Sequence, residues 1–203
     1  MMNWKDILQN CISKLPEKFE KNEMAFLALQ GKIELQLRDK IAWELEKEGS
    51  YYIKKEYSPS ESEGRQKVDL AILSKEDLKP VCLIEFKAHS SANKETEYGK
   101  RCENDCDKMK EMSKEANANP DKFFVFFQSS HEKEDLDNIT RHSNLIAYVN
   151  YIKRGLNARG DIKTQWEDLF GDYGDLSENI KFEAGEYYGV KIHINTLILK
   201  VKP

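Results

Sequence analysis

Two apolar runs that carry charged side chains constrain the fold of this chain more than any other feature. They are KVDLAIL at 67–73, which contains Asp69, and VCLIEFKA at 81–88, which contains Glu85 and Lys87. Runs rich in Val, Ile, Leu and Phe between polar segments are typical of buried strands. An uncompensated buried charge costs roughly several kcal/mol. The sequence therefore predicts that these three charges neutralise one another or are compensated by a bound cation.

A short polar connector at 74–80 joins the two runs and predicts that they form an antiparallel hairpin. If Leu73 faces Val81 across the turn, the register places Asp69 opposite Glu85. Side chains of directly paired residues lie about 5 Å apart at Cβ. We therefore expect the two carboxylates to converge.

Side-chain alternation along the second run decides which residues share a face with Glu85. The expected site face carries Val81, Leu83, Glu85 and Lys87. The opposite face carries Cys82, Ile84, Phe86 and Ala88. Lys87 is therefore expected beside the carboxylate pair.

Two converging carboxylates beside a lysine indicate a site for a hard divalent cation. Oxygen ligands suit Mg²⁺ or Mn²⁺ better than zinc. Such a cation can polarise a phosphoryl oxygen and lower the pKa of bound water, while a lysine positions that water or stabilises developing charge. The expected reaction is phosphodiester hydrolysis. The simpler alternative is a buried Asp–Lys or Glu–Lys ion pair within an ordinary sheet.

Asp69, Glu85 and Lys87 together resemble the motif of the PD-(D/E)xK nuclease superfamily, which has the restriction-endonuclease-like fold. The sequence departs from the motif at Val68, where the name-giving proline would stand. The resemblance covers roughly residues 25 to 130. It implies that Asp69 and Glu85 bind one or two divalent ions and that Lys87 assists the attacking water as catalytic base. It also implies that an acidic residue on the preceding helix completes the site.

Glu34 is the candidate for that acidic residue. Residues 24–48 have helical composition and predict one helix, ended by a Gly-Ser pair. Glu34 falls on a stripe that should face the core, together with Leu27, Ile41 and Leu45. Two readings stay open: a third metal ligand, or a border residue that reaches solvent or pairs with Arg38.

The order of the predicted elements is α-β-β-β-α-β, which agrees with an α/β restriction-endonuclease-like core in which helices flank a central mixed β-sheet. After the helix come a strand at 51–57, the two motif strands, a polar helix at 95–117 and an apolar strand at 123–130. Asp105 and Lys108, on the polar helix, are expected to form a solvated pair rather than to reach the site.

The second half of the chain, 131–203, is predicted to form a periphery around the core. A helix is expected at 136–152, a short helix at 165–170, and a C-terminal β-hairpin extension at 182–201 that turns at one of its glycines. The basic stretch at 153–160 is a candidate phosphate contact, although a solvated loop is the favoured reading.

Composition bounds the remaining expectations. The chain has 203 residues, 39% hydrophobic and 33% charged, and is expected to be one domain over 1–203. No signal peptide or spanning segment is visible in the sequence, so a cytoplasmic protein without a membrane partner is expected. The net charge of −4 argues against non-specific coating of DNA, but 32 Lys and Arg suffice for a local basic patch.

The function expected from the sequence is a divalent-metal-dependent nuclease that acts on DNA. Asp69, Glu85 and Glu34 are the expected metal ligands, and Lys87 is the expected base. Mg²⁺ is the expected cofactor, with Mn²⁺ able to substitute. No organic cofactor is expected because no glycine-rich phosphate loop is present; a homodimer is left open. The alternatives are a silent member of the fold that binds nucleic acid or protein, and a structural domain with an internal ion pair.

Overall fold

The computed structural model describes residues 3–30, 33–59, 67–89, 97–131, 162–177, 179–187 and 189–202. The described helices are α1 (Trp4–Ser13), α2 (Glu23–Leu29), α3 (Ile33–Lys47), α4 (Glu97–Glu115) and α5 (Ile162–Phe170), with a 3₁₀ turn at Leu15–Lys18. The strands are β1 (Tyr52–Tyr57), β2 (Val68–Leu73), β3 (Pro80–His89), β4 (Asp121–His131), β5 (Gly174–Leu176), β6 (Ile180–Tyr187) and β7 (Val190–Val201). None of these helices is both long and apolar enough to cross a membrane.

The seven described strands form one mixed sheet in the order β1-β2-β3-β4-β7-β5, and β6 also pairs with β7. Strands β3 and β4 are parallel, and the other described pairs are antiparallel. Helix α4 connects the parallel strands, as such strands require a crossover. The expected α/β class, a mixed sheet flanked by helices, is thus confirmed.

The hairpin of β2 and β3 has the predicted register at the site but not at the turn. Leu70 pairs with Ile84, and the register shifts by one residue before Leu73, which pairs with Pro80 instead of the expected Val81. The tight turn causes the shift, because the N–H of Ser74 donates to the carbonyl of Lys79 at 2.9 Å and so closes the turn early. The irregularity is local and leaves the pairing near the charged residues unchanged.

The single helix predicted at 24–48 is wrong, because the segment forms the two helices α2 and α3. Helix α2 ends where the N–H of Gln30 donates to the carbonyl of Phe26. Gly31 follows in the sequence, and a glycine inside a helix costs about 1 kcal/mol relative to alanine. The helices also pack differently: α2 lies on β6, whereas α3 contacts β1, β2 and β3.

Two hydrophobic clusters cover the two faces of the sheet. Helices α1, α2 and α3 lie on one face, and α4 and α5 lie on the other. Strand β3 alternates between them as predicted, since Ile84 and Phe86 belong to the first cluster and Leu83 to the second. Val81, beside the register shift, packs against the first cluster instead of the expected second. Helix α1 was not predicted from the sequence.

The C-terminal hairpin is part of the central sheet, not an extension outside it. Strand β7 pairs with β4 from Phe123 to His131, which makes it an interior strand of the sheet. The turn between β6 and β7 includes Gly189, whose φ of 70° is a conformation that glycine adopts without strain. The short helix predicted at 165–170 is confirmed as α5, whereas the predictions for 136–152 and 153–160 lie outside the described residues.

Candidate active site

Three carboxylates from three different elements are anchored by backbone N–H groups of β2 and β3. The N–H of Phe86 donates to Oδ2 of Asp69 at 2.7 Å, and the N–H of Asp69 donates to Oε2 of Glu85 at 3.3 Å. The N–H of Ala88 donates to Oε2 of Glu34, on α3, at 2.7 Å. One oxygen of each carboxylate is thereby fixed, and this brings the three predicted acidic residues to one region.

Glu34 is placed by the β3 backbone and not by the alternative partner considered from the sequence. Arg38, one helical turn further along α3, forms ion pairs with Asp39 and Glu56. A longer contact of 3.8 Å joins its guanidinium to Oδ1 of Asp69. Arg38 is buried, so it adds a positive charge at the Asp69 side of the site.

Lys87 lies beside Glu85, as the alternation of β3 predicts. Its Nζ is 2.9 Å from Oε1 of Glu85 and also donates to the carbonyl oxygen of Phe86 at 3.2 Å. A third contact of 3.2 Å joins Nζ to Oδ2 of Asp105, on α4. The lysine is therefore held between a strand and a helix, with its charge compensated from both.

The expectation that Asp105 and Lys108 form a solvated pair away from the site is wrong. Their mutual contact of 2.8 Å exists, but Nζ of Lys108 also lies 2.9 Å from Oε1 of Glu85. The sequence of α4 could have predicted this placement. On a helical wheel Asp105 lies between Met109 and Met112, on the face that packs against the sheet. An acidic residue among buried methionines needs a buried cation, which Lys87 and Lys108 provide.

The nearby cations neutralise the buried carboxylates of the site only in part. Glu85 is only 3% exposed. Burial and the negative charges of Asp69 and Asp105 outweigh Lys87 and Lys108, and raise the pKa of Glu85 to about 7. Burial likewise raises the pKa of Asp69, against the hydrogen bond from Phe86.

Glu34 shows the same behaviour. Burial raises the pKa of its carboxyl group, although Lys87 and the N–H of Ala88 act in the opposite direction. A raised carboxyl pKa means that the charged form is under-compensated in the folded protein. A further positive charge nearby would therefore stabilise the ionised form of all three predicted acidic residues.

The pKa values of the two lysines are raised as well, which for a lysine means that the folded protein stabilises the charged form. Burial alone would lower the pKa of Lys87, but the carboxylates of Glu85 and Asp105 outweigh it and raise that pKa. The same balance, with Glu85 as the main opposing charge, raises the pKa of Lys108. Both side chains are ammonium ions at neutral pH, and both donate hydrogen bonds to Glu85.

The donor chemistry of the site fits a hard divalent cation, but the side chains do not form a ready ligand set. Carboxylate oxygens of Asp69, Glu85 and Glu34 are the ligand type that Mg²⁺ prefers. The raised pKa values of these groups indicate that their negative charge is not fully compensated. Among the described residues, no three His, Cys, Asp or Glu side chains are gathered as a metal-binding group. Oε1 of Glu85 is shared by two lysines instead.

Comparison of the chain with protein-family models, with curated proteins and with solved structures finds no match. None of these comparisons supports the resemblance to the PD-(D/E)xK superfamily that the motif residues suggest.

Proposed function

We propose that this protein is a divalent-metal-dependent phosphodiesterase that cleaves DNA and has a restriction-endonuclease-like core. The observation that carries the proposal is the arrangement of Asp69, Glu85 and Glu34. These residues come from β2, β3 and α3, and backbone N–H groups of β2 and β3 orient all three. Lys87 contacts Glu85 from the same strand. An ordinary ion pair would need neither the third acid nor the excess negative charge.

Asp69 and Glu85 are the proposed principal ligands of Mg²⁺, and Glu34 is the third acid. Mn²⁺ is expected to substitute, because it also accepts oxygen ligands. Each carboxylate has one oxygen fixed by a backbone N–H, and the other oxygen of Glu85 is contacted by Lys87 and Lys108, with which a cation would compete. The bound ion would supply Lewis-acid polarisation of the scissile phosphate and a water of lowered pKa.

Lys87 is the proposed group that acts on the attacking water. Glu85 and Asp105 raise the pKa of Lys87 and so keep it an ammonium ion. In this form it orients a water or stabilises charge on the phosphate, but it does not accept a proton. Partial neutralisation of Glu85 would lower the pKa of Lys87 and move it toward the role of base.

A silent member of the fold that binds nucleic acid or protein is the second candidate. It is favoured by the two lysines on Glu85, which already neutralise part of the charge that a metal would meet. This reading predicts that the protein binds its ligand without Mg²⁺ and does not hydrolyse it. The proposed nuclease predicts that both binding and hydrolysis depend on Mg²⁺.

A titration of Mg²⁺ and Mn²⁺ against four DNA forms tests the proposal. Linear duplex, supercoiled, single-stranded and branched DNA are incubated with the purified protein, with and without chelator, and both cleavage and binding are recorded. Cleavage of at least one form that requires the metal supports the nuclease. Binding without cleavage at every metal concentration supports the silent alternative and contradicts the proposal.

A further inference from the structure

Glu85 is the point where two ammonium groups and the proposed metal compete for one oxygen. Nζ of Lys87 and Nζ of Lys108 each lie 2.9 Å from Oε1 of this carboxylate. The other oxygen, Oε2, accepts the N–H of Asp69. A cation that binds Glu85 through Oε1 would therefore take the place of at least one ammonium group.

Both lysines also contact Asp105, and they differ in whether β3 itself holds them. Lys87 lies two residues from Glu85 on the same strand and also donates to the adjacent carbonyl oxygen of Phe86. Lys108 comes from α4, and among the described residues it forms ion pairs with Glu85 and with Asp105 in its own helix. If Glu85 is released, Lys108 keeps its contact with Asp105 in its own helix, whereas Lys87 stays tied to β3 through the carbonyl of Phe86.

We propose that Lys108 is a displaceable counter-ion of the metal site: it neutralises Glu85 until a divalent cation binds there, and Asp105 then retains it. The inference rests on the proposed function, since it requires a metal at Glu85. Lys108 contributes no ligand in this scheme. It sets the threshold metal concentration and stabilises the protein below that threshold.

Burial explains why Lys108 pairs with Glu85 in the absence of a metal. Lys108 is 9% exposed and Glu85 is 3% exposed, so neither charge is well compensated by water. A buried carboxylate without a partner is strongly destabilising. Lys108 therefore adds to the neutralisation of Glu85 by Lys87 and stabilises the folded protein before the metal arrives, at the expense of metal affinity.

Calorimetric titration of Mn²⁺ into Lys108→Gln and wild-type protein tests the proposal. The variant removes the competing cation, so its dissociation constant for Mn²⁺ should be about tenfold lower, the change expected for loss of one close charge pair. The matched control is Lys110→Gln, which makes the same change on the same helix, where Lys110 contacts Asp107 at 3.9 Å. An unchanged affinity in Lys108→Gln, with clear binding by the wild type, would overturn the inference alone.

A second measurement separates displacement from a general effect of charge. Asp105→Asn removes the group that retains the released lysine, so it should weaken Mn²⁺ binding in the wild-type background. The same change should have a smaller effect in the Lys108→Gln background, where no lysine has to be retained. Equal effects in both backgrounds would contradict the role of Asp105 in holding Lys108.

A third measurement needs no variant, in case Lys108→Gln folds poorly. A crystal structure of the wild-type protein with Mn²⁺ should show the ion on Glu85, and Nζ of Lys108 beyond hydrogen-bond distance of that carboxylate but still on Asp105. Lys108 still bonded to Glu85 in the loaded protein would overturn the inference and leave the proposed function intact. Failure of the wild type to bind Mn²⁺ in solution would overturn both.

Discussion

Glu34 accepts a 2.7 Å hydrogen bond from the backbone N–H of Ala88, although the two residues are 54 positions apart in the chain. The bond joins the first turn of α3 to the end of β3, one residue beyond Lys87. It fixes one oxygen of a carboxylate whose pKa burial raises. The acid on the helix is therefore oriented by the same strand that carries the E-x-K residues.

Glu34→Gln should weaken metal-dependent cleavage at limiting Mg²⁺ by about tenfold, a typical effect for residues that support a metal site. The amide oxygen can still accept the N–H of Ala88, so the fold should be retained while the charge is lost. Glu46→Gln, an exposed position on α3, should behave as wild type. Glu44→Gln should also retain activity, although Glu44 bonds Lys18 and Lys47. Equal cleavage rates for all three variants would make Glu34 a border residue.

Lys87→Ala should fold and bind Mn²⁺ but lose at least about 100-fold in hydrolysis, because a positioned proton-transfer or charge-stabilising group typically contributes that much. Folding should survive because Lys108 still neutralises Glu85. Glu85→Ala should lose both metal binding and hydrolysis. Cleavage rates and Mn²⁺ affinities of the two variants measured side by side check this. Cleavage by Lys87→Ala at the wild-type rate would exclude Lys87 from the reaction.

The pH dependence of stability should reveal the buried carboxylate. The pKa of Glu85 is raised from an ordinary 4.5 to about 7, so between these values the folded protein holds a proton that the unfolded chain has released. The associated stability is full below pH 4.5 and is lost as the pH rises through about 7. Urea unfolding in chelator at several pH values should show a larger loss in wild type than in Glu85→Gln, in which only Asp69 and Glu34 still contribute. Parallel curves for the two proteins would contradict the raised pKa.

Much of the site geometry follows from strand periodicity. The convergence of Asp69 and Glu85, and the position of Lys87 beside them, are local consequences of a hairpin register and of alternation along β3. Such short-range geometry can be predicted from spacing alone.

The features that sequence reasoning missed depend on packing between distant segments. The contact of Lys108 with Glu85 depends on how α4 lies on the sheet, and the interior place of β7 depends on pairing with a strand about seventy residues earlier. The break between α2 and α3 does not depend on distant segments. Gly31 is a helix-breaking signal in the sequence, but the apolar pattern on both sides of it favours one continuous helix.

Asp69→Asn should make the protein more stable in chelator than the wild type. Burial raises the pKa of Asp69, so its charge opposes folding, and the side-chain oxygen of Asn can still accept the N–H of Phe86. A metal that binds only the folded state adds about 2.7 kcal/mol at one hundred times its dissociation constant. The variant should lose most of that gain.

Thermal unfolding of both proteins, in chelator and in excess Mn²⁺, measures the two effects of Asp69→Asn. The alternative of a purely structural ion-pair network predicts the opposite sign in chelator. Arg38, which lies 3.8 Å from Asp69, would then lose a needed partner. Lower stability of the variant in chelator, with no Mn²⁺ shift in the wild type, would contradict the metal site.

The rate at which supercoiled plasmid is nicked or linearised, measured for wild type and Glu85→Ala over a range of Mg²⁺ concentrations, tests the central claim most directly. Glu46→Ala, which removes an exposed carboxylate, is the matched control for protein quality and contaminating nuclease. We predict cleavage by wild type and Glu46→Ala that chelator abolishes, and at least about 100-fold slower cleavage by Glu85→Ala. Equal cleavage by Glu85→Ala, or no cleavage by the wild type at any Mg²⁺ concentration, would contradict the account.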